Sequence, residues 1–157
     1  MTKTYTFEEL LSDRGYIIYT NTGTSMMPLL REHKDIIEIR PKGDSKCKKY
    51  DVVLYKRREI YILHRILRVL PNGYIIAGDN NTFLEYDITD EQIIGKMARL
   101  FRDGKEIRMT DIKYRLYVHI WCDFYPVRMT LLRIKRKLWR DGSHLKQKLL
   151  SRTGSQG

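Results

Sequence analysis

The chain has 157 residues, 42% of them hydrophobic and 31% charged, which suits one domain of ordinary size with a solvated surface. This composition excludes a disordered chain, and no run approaches the roughly 18 apolar residues of a membrane-spanning helix. The net charge of +11 is uneven: from Pro126 onward there are nine Lys/Arg and one acid, Asp141. Such a basic tail indicates an anionic partner, lipid or nucleic acid, or is simply a solvated basic helix.

The predicted elements begin with a short helix and continue as β-strands. In TFEELLSD, residues 6–13, Thr6 can cap a helix and Glu9 can complete a capping box. Pro71-Asn72-Gly73 and Asp103-Gly104 are typical hairpin turns. Runs of β-branched and aromatic residues predict strands at 15–20, 35–40, 51–57, 59–70, 74–79, 91–102 and 105–109. We therefore expect a mainly antiparallel β domain over residues 1–110.

From Asp111 onward the apolar spacing becomes helical. Tyr117, Ile120, Trp121 and Phe124 fit one helix, and a second follows Pro126. In the second helix the apolar face is formed by Val127, Leu131, Ile134 and Leu138, with lysines and arginines around it. We expect a basic amphipathic helical extension over 111–150 and a flexible tail over 151–157. The amphipathic helix fits equally a membrane interface or packing on the β domain.

Two segments carry residues that could act together in catalysis. Ser25 lies in TNTGTSMMPLL, residues 20–30, and a serine hydroxyl is a poor nucleophile unless a base accepts its proton. His64 lies in the apolar strand YILHRIL, where an ionisable ring is costly without a partner. Taken alone, a strand histidine is more often structural, and the following GDNN, Gly78–Asn81, is more often a turn.

Four short motifs nevertheless occur in a specific order: GTSMMP, YDVVLY, LHRI and GDNN. Between Tyr16 and Arg99 the chain resembles the type I signal peptidases. The histidine followed by arginine, His64-Arg65, resembles the endoplasmic-reticulum, archaeal and sporulation enzymes of that family, whereas the bacterial type has lysine there. The resemblance implies an antiparallel β peptidase domain.

The resemblance also implies roles for individual residues. Ser25 would be the nucleophile, His64 the general base and Asp79 a supporting acid. The histidine-type pattern has an aspartate six residues beyond Asp79; Glu85 stands there, and Glu85 or Asp87 would orient the base, with spacing favouring Glu85.

Residues flanking Ser25 would complete the site. The Ser25 N–H, assisted by the Thr24 hydroxyl, would bind an oxyanion. Met26 and Met27 would line a substrate cleft, although we expect at least one of them to pack in the core. Pro28 would fix the chain after the nucleophile.

The expected function is a serine endopeptidase that cleaves a peptide or precursor protein bound as an added strand. Cys47 and Cys122 are far apart and form no CxxC, so we expect reduced thiols, no zinc site, no cofactor and a cytoplasmic location. Peripheral contact at the inner membrane surface through the basic helix is one of the two options left open for that helix. Two alternatives are a catalytically inactive binding module with this fold and a basic nucleic-acid-binding protein. Nucleic acid is disfavoured because no aromatic-rich basic strand motif occurs.

Overall fold

A computed structural model of the protein describes the backbone of residues 5–153, and the side chains up to residue 140 except that of residue 136. Eight strands form one sheet, with a helix before it and two after it. In chain order the elements are α1 (Phe7–Arg14), β1 (Ile17–Thr20), β2 (Ile36–Arg40), β3 (Val52–Arg57), β4 (Ile60–Leu70), β5 (Gly73–Ala77), β6 (Glu85–Ile88), β7 (Ile93–Arg102), β8 (Lys105–Ile107), α2 (Ile112–Asp123) and α3 (Tyr125–Thr153).

The sheet is antiparallel throughout and has the order β1-β2-β7-β3-β4-β5-β6, with β8 added to β7. The mainly antiparallel β fold expected from the sequence is confirmed. One strand, β6, was not predicted. It is short, and its central residues Tyr86 and Asp87 are exposed, so it lacks the apolar run that marks most of the other strands.

The opening helix forms as predicted. The Thr6 hydroxyl accepts a hydrogen bond from the Glu9 N–H at 3.2 Å, and the Glu9 carboxylate accepts one from the Thr6 N–H at 2.8 Å. Gly15 ends the helix in the left-handed conformation, with φ of 74°. Leu11 anchors the helix in the core.

The buried residues form two apolar clusters. One contains Met26, Leu30, Ile37, Ile39, Leu54 and Leu100. The other contains Val53, Tyr55, Ile66, Tyr74, Ile76 and Ile88, with Ile62 packed against it. Strand alternation puts His64 between Ile62 and Ile66, and therefore on the face of the second cluster.

The chain divides into two compact units, residues 1–123 and 124–157. The predicted boundary at 110/111 is thus too early, because α2 belongs with the sheet. Helix α3 continues to Thr153, so residues 151–153 are helical where a flexible tail was expected. The rest of that predicted tail, 154–157, lies outside the described residues. Among the described residues, no helix combines the length and hydrophobicity required to cross a membrane.

Candidate active site

His64 and Glu85 form a buried pair. The Nδ1 atom of His64 lies 2.7 Å from Oε1 of Glu85, and both side chains are almost fully buried. Because a carboxylate only accepts hydrogen bonds, Nδ1 is assigned the proton, which leaves Nε2 of the neutral ring as an acceptor. The carboxylate therefore selects the tautomer that a general base requires.

Two residues of β3 also donate hydrogen bonds to the Glu85 carboxylate, Tyr55 to the oxygen that His64 contacts and Arg57 to the other oxygen. The Tyr55 hydroxyl donates to Oε1 at 2.7 Å, and Arg57 donates to Oε2 at 3.1 Å. Burial raises the pKa of Glu85, but the hydrogen bonds from His64, Tyr55 and Arg57 outweigh it, so the net pKa is lower than usual. Burial, and then the bond to Glu85, raise the pKa of Tyr55 well above its usual value, so this hydroxyl remains a donor. The site thus keeps Glu85 ionised at neutral pH.

The Nε2 side of His64 faces the loop Gly78–Asn81. A methyl group placed on Gly78 would lie 2.9 Å from Nε2 of His64 and 2.6 Å from the carbonyl oxygen of Ser25. The Asn81 side-chain nitrogen lies 3.4 Å from the same Nε2. The His64 ring and the Ser25 backbone therefore both lie next to Gly78, although they are far apart in the sequence.

The same loop holds the backbone on either side of Ser25. The Asn80 N–H donates to the Ser25 carbonyl at 2.7 Å, and the Asn80 side chain donates to the Thr24 carbonyl at 3.2 Å. A turn follows, closed by the Leu30 N–H to the Met26 carbonyl at 2.9 Å. This turn leaves Ser25 half-buried. Within the described residues, no hydrogen bond joins the Ser25 hydroxyl to His64.

In the described part of the chain, no hydrogen bond or ion pair joins the Asp79 carboxylate to His64. That carboxylate receives a two-point contact from Arg65, at 2.9 and 2.8 Å, and a third hydrogen bond from the Tyr117 hydroxyl at 2.8 Å. The Asp79 and Arg65 side chains are fully buried, and the Trp121 indole N–H donates to the Asp79 carbonyl at 2.7 Å. Asp79 thus fixes the Gly78–Asn81 loop against α2. Its expected role as a supporting acid is revised to a role in positioning.

The other predicted residues are divided between surface and core. Asp87 is exposed, with φ of 62°, so Glu85 rather than Asp87 meets the histidine. Met26 is fully buried in the first apolar cluster. It is the methionine that packs in the core, and it cannot line a cleft because no part of its side chain is exposed. Met27 is half-buried, whereas Thr24 and Pro28 are exposed.

Two cavities lie along the Ser25 segment. One, of about 190 Å³, is lined by Ser25 and by mostly apolar or aromatic side chains that include Tyr19, Leu54 and Leu63. A larger one, of about 760 Å³, begins at Pro28 and Leu29 and continues between β7 and α2; neither Ser25 nor His64 lines it. The smaller cavity is therefore the one next to the candidate nucleophile. Among the described residues, no cluster of three or more metal-ligating side chains occurs.

The chain matches no protein-family model and no curated protein.

Sequence reasoning missed three groups that contact the pair: Tyr55, Arg57 and Asn81. The first two can be identified only once the strand register is known. In the β3–β4 hairpin Val53 pairs with His64 and Tyr55 with Ile62. Alternate residues of β3 therefore share the His64 face, and Tyr55 and Arg57 both lie on that face. Nothing in the sequence distinguishes Asn81 from Asn80 in this respect.

Proposed function

We propose that the protein is a serine endopeptidase of the histidine-type, signal-peptidase-like group. Ser25 is the nucleophile, His64 the general base and Glu85 the acid that orients it. One observation supports this above all others. The His64 ring is bound to Glu85 through Nδ1, and its Nε2 acceptor lies next to Gly78, where the Ser25 backbone also lies.

The proposed reaction follows from these positions. His64 Nε2 takes the Ser25 proton as the hydroxyl attacks a peptide carbonyl, and Glu85 stabilises the imidazolium that forms. The Ser25 N–H and the exposed Thr24 hydroxyl donate to the oxyanion. His64 then protonates the leaving amine, and a water molecule releases the acyl group from Ser25. Catalytic hydrogen bonds often shorten only when substrate is bound, so the proposal does not require a bond between Ser25 and His64 in the free protein.

The proposed substrate is an extended peptide or the exposed segment of a precursor protein. Strand β1 is at one end of the sheet and leads into the Ser25 segment, so a peptide added along it would bring its carbonyl to the serine. The 190 Å³ cavity would accept one small or medium apolar side chain next to the cleaved bond. We place the enzyme in the cytoplasm, supported by Cys47 and Cys122, both buried and joined by no disulfide.

The test is cleavage of a peptide library, followed by mass spectrometry, with the wild-type protein and matched variants. We expect Ser25→Ala and His64→Ala each to abolish cleavage. The controls Ser45→Ala and His33→Ala change an exposed serine and an exposed histidine and should leave it unchanged. Thermal unfolding of each variant checks the fold. Undiminished cleavage by Ser25→Ala, or peptide binding by the wild type without cleavage, would contradict the proposal; the second result would indicate a binding module.

A further inference from the structure

Helix α3 carries an exposed apolar ridge. Val127, Leu131, Ile134 and Leu138 are spaced by four, three and four residues, which puts them on one face of a helix. Their exposed fractions are 55%, 55%, 50% and 67%. Four large apolar side chains in a row are thus open to solvent along about three helical turns.

Cations lie on both sides of this ridge. At about 100° per residue, Lys135 falls on one flank and Lys137 on the other, and both are exposed. Arg133 is exposed farther round the helix. Trp139, next to the last residue of the ridge, is 82% exposed, and tryptophan is enriched at membrane–water interfaces. An apolar ridge between two lysines allows the lysine stems to lie along acyl chains while their charges reach headgroups.

We propose that α3 docks in the plane of an anionic lipid surface, with the ridge Val127–Leu131–Ile134–Leu138 in the acyl region and Lys135 and Lys137 at the headgroup phosphates. The charge of the segment is complementary to such a surface, since nine basic residues and one acid follow Pro126. A nucleic acid would use the cations and leave the ridge in water. This inference does not depend on the peptidase activity.

The test is co-sedimentation of the full chain with two kinds of vesicle: phosphatidylcholine alone, and phosphatidylcholine mixed with phosphatidylserine. We expect the wild type to bind the mixed vesicles and to bind phosphatidylcholine weakly. The double variant Leu131→Ser/Ile134→Ser should lose at least about tenfold in partition coefficient, because two apolar side chains no longer enter the bilayer. The variant Lys135→Gln/Lys137→Gln should lose about fivefold per lysine on the mixed vesicles.

A matched control makes the same chemical change elsewhere. Ile60 and Val69 of β4 are 65% and 40% exposed, so Ile60→Ser/Val69→Ser removes comparable exposed apolar groups and should bind like the wild type. Failure of the wild-type protein to co-sediment with the mixed vesicles would refute the inference. So would lysine variants that lose binding while the ridge variant retains it, because that result indicates charge attraction alone. A wild-type dimer that becomes monomeric in the ridge variant, measured by light scattering, would mean that a second copy covers the ridge.

Discussion

Oε1 of Glu85 lies 2.7 Å from Nδ1 of His64, although β5 separates their two strands in the sheet. The contact spans this strand because both side chains emerge on the same face, where Ile76 pairs with Glu85 and with Ile66. The orientation of the histidine therefore depends on correct registration of three strands.

The first prediction concerns this contact. In Glu85→Gln a neutral amide replaces the carboxylate next to His64 Nδ1. The substitution therefore weakens both the preference of His64 for the Nδ1-protonated tautomer and the stabilisation of its imidazolium form. We expect kcat/KM for peptide cleavage to fall about 10²- to 10⁴-fold. Asp87→Asn removes an exposed carboxylate two residues away and should leave kcat/KM within about twofold. Equal effects of the two substitutions would mean that general charge, rather than the contact with His64, is responsible.

The second prediction uses two glycines that lie near Ser25. A Cβ at Gly78 would be 2.6 Å from the Ser25 carbonyl oxygen and 2.9 Å from His64 Nε2, so Gly78→Ala must displace one of them. A shift of about 1 Å at a catalytic group can cost 10²-fold in rate, and we expect a loss of that order in kcat. Gly23→Ala introduces the same methyl into open space and should retain activity. Wild-type kcat in Gly78→Ala would show that the loop does not set the spacing of the pair.

The sequence was most informative where local periodicity and turn residues decide the structure. The seven strands that it predicted have apolar or alternating runs, and the capping box is recognisable from the spacing of Thr6 and Glu9 in the sequence. Strand β6 could not be predicted in the same way, because it is held by pairing with β5 rather than by its own composition. The position of Glu85 was expected from the spacing in the family that the chain resembles, whereas Tyr55 and Arg57 follow from a register that is fixed only in the folded hairpin.

The third prediction concerns the pH dependence of the rate. Hydrogen bonds from His64, Tyr55 and Arg57 outweigh burial and hold the pKa of Glu85 below its usual value, so its carboxylate stays ionised through neutral and mildly acidic pH. The advantage of the wild type over Glu85→Gln should therefore not shrink until pH falls below the usual glutamate range. The measurement is the ratio of kcat/KM for the two proteins between about pH 5 and pH 8, which should stay constant. A ratio that falls towards one within this window would mean that Glu85 becomes protonated there.

The fourth prediction concerns the buried pair Arg65–Asp79. Asp79→Asn leaves the Arg65 guanidinium, which has no exposed surface, without its counter-charge. Breaking one side of such a pair costs about 3–5 kcal/mol of unfolding free energy. Urea denaturation at pH 7 measures this loss. Glu106→Gln breaks the exposed pair with Arg99, 3.0 Å apart, and should produce no measurable change. A stable Asp79→Asn variant would mean that Tyr50 and Tyr114, which also contact Arg65, are sufficient to hold it.

The fifth prediction concerns acid unfolding. Burial raises the pKa of Asp35, but hydrogen bonds from Arg102 and Arg31 outweigh it, and the net pKa is lower than usual. A carboxyl with a lowered folded-state pKa stabilises the protein above its unfolded value of about 3.9, and this stabilisation is lost as pH falls through the folded value. Asp35→Asn should therefore be less stable than wild type at pH 6, and its stability should fall less steeply between pH 6 and pH 3 in urea denaturation. Parallel pH profiles for the two proteins would contradict this assignment.

Helix α2 reaches the candidate active site without entering it, since Tyr117 and Trp121 both donate hydrogen bonds to Asp79, next to the asparagine that holds Ser25. A proteolytic fragment that stops at Thr110 would retain every strand, and both members of the Ser25/His64 pair, yet lose both of these donors. If the proposed peptidase activity is present, the shortest fragment expected to retain it ends near Asp123, and limited digestion that removes α2 should abolish cleavage while the sheet stays folded.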